Sequence, residues 1–184
     1  PIYPPNTDGS HAVRLGEGVA SALSPDGKWA ASTVHGSPSR IVVWPTGAGQ
    51  SRVLPDGGLV DQQSVSWAPD GRHVVFMASQ AGQAPRLYRQ DAEGHGTPSP
   101  VSPEGFQVPL FGKPLSPDGR LAAAVDSQGH IKLQPLDGGP AREAPGFEPG
   151  DVPLRWTSDG RGVYVFRFGE LPGRLYRVDA GSGA

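Results

Sequence analysis

The chain has 184 residues, a formal net charge of −2 and no cysteine. The missing cysteines exclude disulfides, thiolate catalysis and cysteine-based zinc sites, and the balanced charge without a basic run argues against a nucleic-acid surface. Its 27 glycines and 21 prolines punctuate short apolar runs at regular spacing, the pattern of an all-β protein with many turns.

In chain order, the first segment holds Ile2-Tyr3, an Asp8-Gly9 turn and the short run Ala12-Val13-Arg14-Leu15. It carries neither the charged nor the apolar region of a signal peptide. A turn of distinctive chemistry then appears four times: Leu23-Ser24-Pro25-Asp26-Gly27, Trp67-Ala68-Pro69-Asp70-Gly71, Leu115-Ser116-Pro117-Asp118-Gly119 and Trp156-Thr157-Ser158-Asp159-Gly160. The Asp residues stand 41 to 48 positions apart, the period of a four-stranded propeller blade. Pro sets φ for the first corner, Asp bonds its own backbone two residues on, and Gly supplies positive φ. Asp26, Gly27, Asp70, Gly71, Asp118, Gly119, Asp159 and Gly160 are therefore read as structural turn residues, because a residue repeated in every blade serves the blade.

Each turn opens an apolar strand, as in Val74-Val75-Phe76-Met77 and Ala122-Ala123-Ala124-Val125. A third strand follows (Ile41-Val42-Val43-Trp44, Leu87-Tyr88-Arg89, Ile131-Lys132-Leu133, Leu175-Tyr176-Arg177), and then a weaker fourth. Helical periodicity is absent, and no apolar stretch approaches the ~18 residues of a membrane-spanning helix. The expectation is one all-β domain over 1–184, a β-propeller of four-stranded antiparallel blades. Residues 1–18 form the end of a blade, 19–54, 64–101 and 112–144 form full blades, and 152–180 form a partial one. Two closures compete. Residues 11–15 could complete the last sheet in a four-blade ring, or the chain could be an arc of a larger ring, finished by further sequence or by self-association; the arc is favoured.

With these motifs in hand, the chain resembles the TolB-type, WD-repeat-like propeller family. Leu87-Tyr88-Arg89-Gln90-Asp91 and Leu175-Tyr176-Arg177-Val178-Asp179 match its third blade strand. The runs 14–29 and 148–156 look like propellers fused behind bacterial serine/threonine protein kinases, where the propeller is thought to sense or bind a partner. The kinase motifs themselves are absent from this chain. The resemblance implies a ring of about six blades and leaves the compartment open between bacterial cytoplasm and periplasm.

Candidate sites follow from propeller topology, which gathers the loops between blades on one face. Those loops carry Asp56, Asp61, Glu104, Glu148 and Asp151 together with Phe106, Phe111 and Phe147. Clustered carboxylates could hold a divalent cation, or with the aromatics present a negative surface to a basic peptide; the peptide reading is preferred, and no metal or cofactor is assigned. The five His residues are never paired at i, i+4, and His95 reads as an exposed turn residue. No Gly-x-Ser-x-Gly elbow is present, so no catalytic residue is named. The expected role is a non-catalytic protein-interaction or sensing module. The alternative is the scaffold of a hydrolase or lyase with its site at the channel mouth.

Overall fold

A computed structural model describes residues 14–109, 112–167 and 172–182. Within them the chain forms four antiparallel sheets, one after another. The first runs β1 (Val19–Leu23), β2 (Trp29–Val34), β3 (Arg40–Pro45) and β4 (Arg52–Val53), each strand beside the next. The second repeats that order with β5 (Leu59–Trp67), β6 (His73–Gln80), β7 (Arg86–Asp91) and β8 (Ser99–Pro100). The third consists of β9 (Leu121–Val125), β10 (Ile131–Pro135) and β11 (Arg142–Glu143), and the fourth of β12 (Asp151–Trp156), β13 (Gly162–Arg167) and β14 (Arg174–Asp179). No helix among the described residues is long and apolar enough to cross a membrane.

The repeated turns join the first strand of each blade to the second. In the first, Asp26 Oδ1 accepts the Ser24 hydroxyl at 2.6 Å and the Lys28 N–H at 3.1 Å, while Ser24 Oγ accepts the Trp29 N–H at 3.0 Å. The same net recurs at Ser116 and Asp118, and with a threonine at Thr157 and Asp159. These hydroxyls, then the backbone N–H groups, hold the three carboxyls below their usual range. At Asp70 the serine is replaced by Ala68, and the His73 ring supplies the bond, with Nδ1 2.7 Å from Oδ2. The closing glycines have φ near +70° (70° at Gly27, 69° at Gly71), yet a Cβ on either would meet nothing within 4 Å. It is the backbone angle, and not lack of space, that calls for glycine there.

Period-2 alternation on a strand with both faces covered explains the uninterrupted apolar runs. From β6, Val74, Phe76 and Ala78 pack toward the first sheet with Ile41 and Val43, and Val75 and Met77 pack toward the third with Ala122 and Ala124. Ala123 faces the fourth sheet, among Trp156, Val163 and Val165. Small side chains on β9 thus let both neighbours approach. Three cores join successive sheets, and none joins the fourth to the first among the described residues. Leu175, at the repeat position of the fully buried Leu87, is 66% exposed on the outer face of the fourth sheet.

Two strands depart from expectation. Between the expected blades 19–54 and 64–101 a loop is expected, but β5 already begins at Leu59. It bulges twice against β6, with Asp61 (φ 53°) and Ser64 (φ 54°) in the left-handed region. Its polar Asp61-Gln62-Gln63 stretch hid the strand, because bulged positions break the alternation that identifies strands. In the third sheet the inner place is taken by residues 113–116, which touch the sheet through a Leu115–Ala122 bridge and the Ala123 N–H to Pro114 carbonyl bond. Prolines at 114 and 117 cannot donate, so no continuous ladder forms. Residues 1–13, including Ile2-Tyr3 and Ala12-Val13, lie outside the described residues.

Candidate functional site

The predicted loop face is where correction is greatest. Asp151 is not a loop carboxylate: it is the first residue of β12, 2% exposed, and holds Arg167 of β13 through Nε at 2.8 Å and Nη2 at 3.0 Å. It also accepts the Glu148 N–H, and Glu148 Oε1 takes the third guanidinium nitrogen at 2.9 Å. Arg167 in turn lies over the Tyr176 ring, 4.5 Å from its centroid. Two anions on one cation raise the Arg167 pKa further, the Asp151 hydrogen bonds first.

Glu104 meets Arg86 at 3.7 Å, beside a 2.7 Å bond from the Gly105 N–H to the Pro85 carbonyl. Loops on this rim therefore touch as the topology requires, but three of the five acids, Glu104, Glu148 and Asp151, are tied to arginines. Asp56 closes its own turn by accepting the Gly58 N–H at 2.8 Å, and Asp61 stays exposed on the β5 bulge. Phe106 is 8% exposed within the core between second and third sheets, and Phe147 packs on the core between third and fourth. Phe106 is thus withdrawn from an aromatic-edged surface, whereas Phe147 is half-buried. Phe111 lies outside the described residues. Arg86 and Arg167 were missed because a basic residue at a strand end announces no partner until the chain has folded.

The opposite rim, formed by the repeated turns and the β7–β8 connection, carries more free chemistry. Among the described residues, one trio could share a metal ion: Asp91, Glu93 and His95, with ligand atoms within 4.8 Å of one another. Internal contacts already engage it. Asp91 Oδ1 accepts the Glu93 N–H at 2.7 Å, and His95 Nδ1 lies 3.6 Å from Asp91 and 3.8 Å from Glu93.

Next to this trio a cleft of about 420 Å³ opens between the first and second sheets, walled by Trp29, Arg52, Trp67, Arg72, Asp91 and Glu93. The Arg52 guanidinium lies 4.1 Å over the Trp29 ring. Trp67 also borders a second cavity of about 290 Å³ on the inner-strand side, beside Ala22 and Leu115. Its indole N–H is buried without an acceptor. The repeat-equivalent Trp156 donates to the Pro114 carbonyl at 2.8 Å, fastening its sheet to the one before. One seam is thus bonded shut where the other keeps an open donor.

No family model matches the chain. Among solved structures it is similar to TolB from Acinetobacter baumannii, with a TM-score of 0.67 and 21% identity, over 92% of this chain and 42% of that one. A putative TolB from Agrobacterium tumefaciens gives the same TM-score at 17% identity, over 92% and 60% of the two chains. The fold is a β-propeller fold. Hydrazine synthase of Kuenenia stuttgartiensis shares it more loosely, at TM-score 0.54 and 12% identity over 86% of this chain and 58% of that one. Such identities speak to fold alone. Among curated proteins, 107 residues are 31% identical to the uncharacterized peptidase YuxL of Bacillus subtilis, covering 57% of this chain and 15% of that protein. The chain therefore spans less than two thirds of the length of each of these proteins.

Proposed function

We propose that this propeller segment is a non-catalytic protein-interaction module whose partner engages the rim of the repeated turns at the first inter-sheet cleft. The observation that carries this reading is the contrast between the rims. The carboxylates at 104, 148 and 151 are neutralised by Arg86 and Arg167, whereas the cleft at the other rim is walled by the half-buried Trp29 ring and by Arg52 and Arg72, which have no carboxylate partner among the described residues. A rigid stack of Asp-closed hairpins is a fitting frame for such a surface, since binding residues concentrate on loops held by a stiff scaffold. The setting we propose is the sensing part of a bacterial signalling protein, in keeping with the resemblance of 14–29 and 148–156 to kinase-fused propellers.

The partial match to a peptidase favours a second reading, in which the segment belongs to the propeller of a larger hydrolase and admits substrate to a separate domain. Selection of a random displayed peptide library on the immobilised chain tests the first reading. Enriched peptides should lose most of their binding to Trp29→Ala and keep it with Glu104→Gln. Failure to enrich any peptide, or the reverse pattern of losses, would count against it.

A further inference from the structure

The cleft has a chemistry of its own, set by which of its charges are already satisfied. Asp91 and Glu93 both lie within ion-pair reach of His95 on the same turn. Arg52 and Arg72 have no carboxylate partner among the described residues: the Arg52 guanidinium lies over the Trp29 ring, and Arg72 is bonded through its backbone. Stacking on an indole fixes the plane of a guanidinium without using its in-plane N–H donors. Arg52 is therefore held as a preformed fork, the geometry that takes a carboxylate bidentately.

We propose that the cleft binds a carboxylate side chain of an acidic peptide, with Arg52 and Arg72 pairing the carboxylate and the Trp29 and Trp67 rings receiving an adjacent apolar or aromatic residue. The proposal rests on the reading of the segment as a protein-interaction module and names the chemistry that module selects. A carboxylate suits the site better than a phosphate. A phosphate monoester brings a charge approaching two and so meets more repulsion from Asp91 and Glu93 in the same wall than a singly charged carboxylate does. Arg52 and Arg72 disfavour a basic peptide, whose lysines would meet them directly.

Fluorescence anisotropy with a labelled random copolymer of glutamate and tyrosine tests this, set against a lysine–tyrosine copolymer of equal length. The wild-type chain should bind the acidic copolymer, less tightly as salt rises, and should not bind the basic one. The double variant Arg52→Gln/Arg72→Gln should bind the acidic copolymer at least about tenfold more weakly at an unchanged melting temperature. If the double variant loses its fold, Arg72→Gln alone serves, because that exposed side chain supports no other described residue, and it should still weaken binding severalfold. Equal affinity of the arginine variants, preference for the basic copolymer, or binding of neither copolymer overturns the proposal. A peptide library that enriches sequences without acidic residues also overturns it while leaving the interaction-module reading intact.

Discussion

Asp151→Ala is expected to lower stability by roughly 3 kcal/mol, the loss seen when one partner of a buried ion pair is removed. The carboxylate is almost wholly buried, and both its oxygens are engaged by Arg167, with a further bond from the Glu148 N–H. Alanine would leave the guanidinium with only the exposed Glu148 side chain and the Tyr176 ring, and would release the bend that leads the chain from the third sheet into the fourth. For a chain of this length the melting temperature should fall by about 6–12 °C. The paired replacement Asp151→Leu/Arg167→Met should recover most of that loss, because apolar groups of similar size remove both desolvation costs together. Thermal denaturation followed by circular dichroism checks both variants. A change within a degree for Asp151→Ala would show that the pair holds nothing in place.

Phe76→Ala should cost about 3–5 kcal/mol, the range for deleting a buried aromatic ring. Phe76 is 0% exposed and stacks on Tyr88, ring centroids 6.0 Å apart, against Ile41 and Val43 of the first sheet. Stability in stacked repeats is a sum of unit and nearest-neighbour terms, so this one ring serves two sheets at once. Urea denaturation should show a clearly lowered midpoint. Leu175→Ala provides the contrast within the same chain: the 66% exposed Leu175 has little apolar contact to lose, and its effect should stay within about half a kcal/mol. Comparable losses for the two would contradict the assignment of buried and open faces.

What the sequence disclosed was local. Ser24-Pro25-Asp26-Gly27 contains its own hydrogen-bonding partners within a few residues, so its turn can be read before anything else is known. The runs at Val74-Val75-Phe76 and Ala122-Ala123-Ala124 announce strands covered on both faces for the same reason. The loop face failed because its chemistry is nonlocal. Asp151 meets an arginine 16 residues on, and Glu104 meets one 18 residues back; neither separation has any meaning in the linear chain. Pro149-Gly150-Asp151 has the composition of a turn, yet its last residue begins a strand. Phe106 and Phe147 stood among loop residues and were drawn into cores that only the stacking of sheets creates. The cleft was hidden likewise, since Trp29 and Arg52 meet only when the outer strand pairs with the third and its arginine reaches across to the second. Trp67 and Trp156 hold the same repeat position, and nothing in the sequence distinguishes the unbonded N–H of the first from the bonded one of the second.

That binding belongs to the first inter-sheet cleft, and not to the acidic loop face, is tested most directly by mapping backbone amide chemical shifts as the library-selected peptide is titrated in. The account predicts the largest changes at Trp29, Arg52, Trp67, Arg72 and Glu93. Shifts concentrated at Glu104, Phe106, Phe147 and Glu148, with the cleft residues unmoved, would contradict it.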